Sequence, residues 1–203
     1  MIQIFANRIA PFFPSLKRDL RIAHLPATPV QYLNASLKAN VLYAFLFTFF
    51  FFFVLQKARL PKLVLIPIFV MLFILFFVYS LIKIKSRIRK REREINKEVV
   101  FVGRYMLVKL YSGRPLLNAL IETAKSRGVA AKYIREIVEE IGTGRTIEDA
   151  LNNAIIYSPS EKLRKILFQI NNALQLGIDV TRPLESVLEE ITKEDELEIK
   201  KYG

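Results

Sequence analysis

Two uncharged apolar runs limit what this chain can become. Val41 to Leu55 reads VLYAFLFTFFFFFVL and Leu63 to Ile82 reads LVLIPIFVMLFILFFVYSLI, with Lys57, Arg59, Pro61 and Lys62 between them. A helix rises ~1.5 Å per residue, so the 20 residues of the second run suffice for a hydrocarbon core of ~30 Å. The first run, counted from Asn40, is slightly shorter and draws Ala39 or Gln56 into the interface. A buried helix of a water-soluble protein rarely stays uncharged for this long. The runs therefore predict two transmembrane helices, about 40–55 and 63–82, joined by a short turn, in a chain that is 52% apolar.

The net charge of +12 ordinarily raises nucleic acid or an anionic membrane as a partner, and the position of the charge chooses between them. From Gly103 to Gly203 there are fifteen basic and fifteen acidic residues, so the whole excess lies in residues 1–102, beside the apolar runs. Its densest part, SLIKIKSRIRKREREINKE from Ser80 to Glu98, holds Lys83, Lys85, Arg87, Arg89, Lys90, Arg91, Arg93 and Lys97. No aromatic residue is interleaved among these for base stacking and no nucleic-acid-reading motif accompanies them, so nucleic acid is not an expected partner. Basic residues near span ends stay on the cytoplasmic side. Lys17, Arg18, Arg21 and Lys38 precede the first span and the eight follow the second, against three in the turn, which puts both termini in the cytoplasm. The eight are expected at the membrane surface, where each contributes about 1 kcal/mol of attraction to anionic lipid.

Between Pro67 and Gly103 there is neither glycine nor proline, so the second span is expected to continue as a basic helical stalk over 83–97. Ile84, Ile88, Ile95, Val99, Val102 and Met106 form a narrow apolar seam along it, interrupted by Arg91. The seam either lies on the chain's own domain or meets a second copy of the chain. Lys90 and Glu94 stand at i, i+4 spacing. In residues 1–39, Ile2, Phe5, Ile9 and Phe12 recur at helical spacing and suit a surface-lying amphipathic helix, while no basic region precedes them as in a signal peptide. Thr28-Pro29-Val30-Gln31 has the form of a capping box with proline at the first helical position, from which the first span can start.

Residues 98–203 read as six short amphipathic helices and hence an all-α, six-helix up-and-down bundle. Gly113, Gly128, Gly142 with Gly144, and Gly177 follow helix ends, and Ser158-Pro159-Ser160-Glu161 has the form of a second capping box. A pattern repeats here: Gly113-Arg114-Pro115-Leu116, Gly144-Arg145-Thr146-Ile147 and Arg182-Pro183-Leu184. Helix-start grammar accounts for much of it, but not for the arginines.

Catalytic chemistry has little to stand on. There is no cysteine, His24 is the single histidine, and Gly142-Thr143-Gly144-Arg145-Thr146 lacks the spacing of a phosphate loop and follows a helix rather than a strand. The acidic residues Glu189, Glu190, Glu194, Asp195, Glu196 and Glu198 carry no calcium-loop pattern. No catalytic residue, metal site or cofactor is expected.

YSGRPLLNALIETA, IGTGRTIEDALNNAI and FQINNALQLGIDVTRPLESVLEEI, placed after two spans, resemble the type II secretion F domain family. Its members are the inner-membrane platform proteins of type II secretion, of type IV and tight-adherence pili, and of archaeal pili and archaella. LKRDLRIAHLPATPVQYLNASL, from Leu16 to Leu37, resembles the juxtamembrane region of archaeal members. The resemblance implies a non-enzymatic platform in the cytoplasmic membrane that couples a cytoplasmic secretion-type ATPase to assembly of pilin-like subunits. A transporter part, a membrane enzyme or a membrane-tethered regulator is the alternative, although the two spans carry none of the ionisable residues that pathways use. Family members usually continue into further spans, and no further apolar run follows the bundle segment here. In an up-and-down bundle Arg114, Arg145 and Arg182 would gather at the membrane-distal tip, either as a basic surface that docks acidic groups on that ATPase or as ordinary solvated residues.

Overall fold

The computed structural model describes residues 14–23, 25, 27–57 and 62–202, and among these the chain is all-α. Helix α1 spans Pro14–Ile22, α2 Pro29–Lys57, α3 Leu65–Tyr111, α4 Leu116–Ala124, α5 Val129–Gly142, α6 Ile147–Tyr157, α7 Glu161–Gln175 and α8 Thr181–Tyr202, with a 3-10 turn at Lys62–Val64. The chain divides into two compact units, residues 1–88 and 89–203, and the division falls inside α3. The expected helix around Ile2 to Phe12, His24, and Arg59 and Pro61 of the turn lie outside the described residues.

In the first unit the reciprocal capping box forms. Thr28 donates its N–H to Gln31 Oε1 at 3.0 Å, and Gln31 donates its N–H to Thr28 Oγ1 at 3.2 Å, satisfying two of the donors that a helix start leaves open. Helices α2 and α3 are each long and apolar enough to cross a membrane. Their large side chains point outward on several sides: Phe45 is 66%, Phe50 63% and Met71 68% exposed. In water each such side chain forgoes about 1.5–3 kcal/mol of burial, so these surfaces suit a hydrocarbon surrounding. Tyr43 and Phe47 both lie against Phe76, with ring centroids 6.0 and 5.5 Å away, and Tyr32 donates its hydroxyl hydrogen to the Ser80 carbonyl at 3.0 Å. Leu16, Leu20 and Ala23 pack with Leu33, Leu37 and Ile84 into a small core that Phe73, Phe77 and Ile88 border.

Helix α3 runs 47 residues without interruption. Pro67 is tolerated because it falls in the first turn, where its missing N–H has no carbonyl to serve. In the second unit Ile95, Val99, Val102 and Met106 of α3 are buried with Leu120, Ile134, Leu151, Leu167, Leu184 and Ile191 in one core. That settles the use of the seam: its C-terminal part lies on the chain's own domain, and its first two residues, Ile84 and Ile88, belong to the core of the first unit. Lys90 and Glu94 stand 3.9 Å apart, mostly in solvent.

From α4 to α8 each helix packs against the next, and α3 is tied to three of them. Glu98 accepts the Ala130 N–H at the start of α5, Asn96 accepts the Ser160 hydroxyl at the start of α7, and Arg104 donates to Thr192 of α8 at 3.3 Å. Gly103 meets Leu188 so closely that a Cβ there would stand 2.5 Å from Leu188 Cδ2. One capping expectation is corrected. Ser158 still donates its N–H to Ala154, closing α6, so the next helix starts two residues later. Ser160 is the N-cap of α7, its hydroxyl accepting the Leu163 N–H at 3.1 Å.

Candidate functional site

The repeated arginine pattern has a backbone cause at the two of its three occurrences where glycine precedes the arginine. At the end of α3, Gly113 (φ 75°) donates its N–H to Leu110 at 2.9 Å, and Arg114 donates its N–H to Lys109 at 3.3 Å. At the end of α5, Gly144 (φ 97°) donates to Ile141 at 2.9 Å and Arg145 to Glu140 at 3.4 Å. Both are Schellman closures, in which glycine supplies the left-handed residue and the residue after it, the arginine, closes the longer bond. Pro115 or Thr146 then leads directly into the next helix, Thr146 accepting the Asp149 N–H. The third closure uses Gly177 (φ 64°) and Ile178, whose N–H reaches Ala173 at 3.0 Å, so Arg182 is no part of it. Arg182 is instead the second residue of α8.

Each arginine has a carboxylate close by. Arg114 pairs with Glu122, which also holds Lys109 at 2.9 Å. Arg145 Nη1 is 2.8 Å from Glu140 Oε2, and the other oxygen of Glu140 accepts the Asn153 amide. Arg182 lines a shallow depression with Asp179 and Pro183. The Asp179 carboxyl titrates below its ordinary range, first because it accepts the Thr181 N–H and hydroxyl at 3.0 and 2.7 Å, and then because Arg182 is near. About half of the Arg114 and Arg145 side chains stays exposed. For Arg114 and Arg145 the pairing opposes the penalty that a cation near a helix N-terminus incurs.

The end of α3 meets the start of α8. Tyr111, the last residue of α3, hydrogen-bonds Glu185 of α8, and that bond, with burial and the charges of Glu185, Asp179 and Glu189, raises the phenol pKa. Midway along α6, Asn152 accepts from Asn171 of α7 at 2.9 Å, and the end of α7 leads through Gly177 into α8. The surroundings of Arg114, Arg145 and Arg182 are thus each of both signs rather than purely basic.

Of the basic run, Lys83, Lys85, Arg87, Arg89, Lys90, Arg93 and Lys97 are exposed and Arg91 is half-buried. Arg91 lies near Tyr133, whose pKa burial nevertheless raises, and its charge partly offsets the upward push of burial on the Glu136 carboxyl. The polar interruption of the seam is therefore occupied within the domain. Among the described residues no three His, Cys, Asp or Glu side chains stand together in a way that could hold a metal ion.

Sequence reasoning missed the residues that fasten α3 to the domain. Gly128 caps α5 at φ 129°, with the Glu98 carboxylate against the space a side chain would take. Arg135 donates twice to the Ala124 carbonyl, at 3.1 and 2.9 Å, closing α4. Glu98 and the Ala130 N–H that it accepts are 32 residues apart, and Arg135 and Ala124 are 11 apart, so no local pattern announces them.

The family model described as type II secretion system (T2SS), protein F, matches residues 104–203, from inside α3 through α8. No curated protein and no solved structure matches the chain.

Proposed function

Because residues 104–203 are a type II secretion system protein F domain, we propose that the chain is a non-enzymatic platform in the cytoplasmic membrane, coupling a cytoplasmic secretion-type ATPase to the assembly of pilin-like subunits. The observation that carries the reading is this domain, begun on a helix whose earlier turns are long and apolar enough to cross a membrane. In this reading α2 and the apolar part of α3 form a transmembrane hairpin with its turn outside, and residues 98–203 form a cytoplasmic six-helix up-and-down bundle. Support for the hairpin comes from the rings of Tyr43 and Phe47 against Phe76 and from the basic flanks. The exposed cations of the run face anionic lipid. Arg114, Arg145 and Arg182, with their carboxylate neighbours, form the end that docks the ATPase.

The test is copurification. A tagged chain solubilised from its host's membranes brings down the secretion-type ATPase, and Arg114→Glu/Arg145→Glu/Arg182→Glu weakens that association at moderate salt while keeping its helicity. A wild-type chain that never retains the ATPase overturns the coupling, and undiminished binding by a folded triple variant removes the arginines from it.

A further inference from the structure

A cavity of about 650 Å³ opens between α2 and α3, within the first unit. Its size falls in the range of small-molecule sites, ~300–1,000 Å³. The cause is local. On α2 the small residues Ala35, Ser36 and Ala39 occupy successive turns of one face, leaving the space opposite Tyr79 and Ser80 of α3 unfilled. At one end the cavity is walled by Tyr43, Phe47 and Phe76, and at the other by Lys83 and Arg87. From Phe76 to Arg87 is eleven residues, so the two ends are separated by roughly 16 Å along α3.

Three features call for one kind of occupant. Lys83 and Arg87 are exposed at i, i+4, a like-charge spacing that is unfavourable in a helix unless an anion lies between them. The single carboxylate residue in residues 1–91 is Asp19. Asn40, also in the cavity wall, is 5% exposed and its amide nitrogen has no hydrogen-bond acceptor among the described residues. A buried donor left so is unfavourable, and an incoming oxygen would relieve it. The aromatic end presents mostly ring carbon and suits hydrocarbon.

We propose that this groove binds one anionic phospholipid, its phosphate between Lys83 and Arg87, its glycerol or ester oxygens toward Asn40, and one acyl chain along Tyr43, Phe47 and Phe76. The proposal rests on the reading of α2 and α3 as membrane spans. It assigns two of the eight cations to a single bound molecule and leaves the other exposed ones to diffuse attraction.

The experiment uses the full chain in detergent, with phosphatidylglycerol titrated in and counted by native mass spectrometry. The expected result is one tightly held lipid. Lys83→Gln/Arg87→Gln weakens it roughly tenfold or more, since each interfacial cation contributes about 1 kcal/mol. Lys85→Gln/Arg89→Gln, which removes the same charge from residues outside the groove, leaves it unchanged, and Ala39→Leu, which fills the space, weakens it without changing charge. Phosphatidylcholine and inorganic phosphate at the same concentration do not displace it. Equal loss in both charge variants, full retention by Ala39→Leu, or displacement by inorganic phosphate overturns the proposal. Alkaline carbonate extraction of host membranes separates the two readings. Release of the chain sinks the membrane reading itself, whereas retention with equal loss in both charge variants sinks the groove alone.

Discussion

Replacing Gly103 with alanine pushes a methyl group into Leu188. The new Cβ would stand 2.5 Å from Leu188 Cδ2 and 3.4 Å from Cδ1 and Cγ, against the 3.5–4.0 Å or so at which carbon atoms pack, an overlap of about 1 Å. Leu188 is 3% exposed, so its side chain has little room to turn away. Nor can α3 retreat freely, because Glu98 and Arg104 on either side are bonded to Ala130 and Thr192. Overpacking of this kind costs about 1–3 kcal/mol, and alanine returns about 1 kcal/mol through its higher helix propensity. The net expectation is a loss of about 1 kcal/mol, and about 4 °C in Tm for a unit of this size. Valine, with its branched Cβ, should cost more. Thermal unfolding of the full chain in detergent, followed by far-ultraviolet circular dichroism, measures both. In Gly103→Ala/Leu188→Ala the new methyl occupies part of the space that Leu188 vacates, so the double variant should be more stable than the two single losses sum to. A Gly103→Ala chain as stable as wild type would refute the close-packed crossing of α3 and α8.

Glu98→Ala removes the acceptor of the Ala130 N–H and should destabilise the second unit by about 0.5–2 kcal/mol, with Glu98→Gln recovering part of it, as read by the same melts. Asp179 has a depressed carboxyl pKa, so its contribution is present above the unfolded value of about 3.9 and disappears as pH falls through the folded one. Asp179→Ala should therefore melt lower than wild type at neutral pH, and the gap should close in acid. A gap that stays constant down to about pH 3 would contradict the cause assigned to that shift. For topology, single cysteines at Ala58 and Ser126 should differ toward an impermeant thiol reagent. Ala58→Cys reacts in intact cells and Ser126→Cys only after lysis, and the reverse pattern would invert the orientation.

What could be read from the residues alone was whatever depends on near neighbours along the chain. Thr28 and Gln31 find each other across three residues, so their box is visible in sequence and present in the structure. The stripe of Ile95, Val99, Val102 and Met106 was visible as a stripe, but a period says which face is buried and not against what, so its partner waited for the folded domain. The Gly-Arg repeat was visible as punctuation. Its cause, an arginine N–H closing a Schellman turn, separates Arg114 and Arg145 from Arg182, which side-chain pattern alone grouped together. Ser158 and Ser160 both satisfy the grammar of a cap, and only the bond from Ser158 back to Ala154 decides between them. Gly128 with Glu98, Arg91 with Tyr133 and the groove beside Asn40 join residues far apart in sequence, where composition and spacing carry no signal.

The central claim is that the chain is an assembly platform with no catalytic role of its own, and its most direct measurement is made in the host. Deleting the chain should abolish surface filaments or secretion while the purified secretion-type ATPase still hydrolyses ATP at its ordinary rate. The full chain should restore assembly, and residues 89–203 expressed without the apolar helices should not. Filaments assembled normally in the deletion strain, or restored by residues 89–203 alone, would contradict the account.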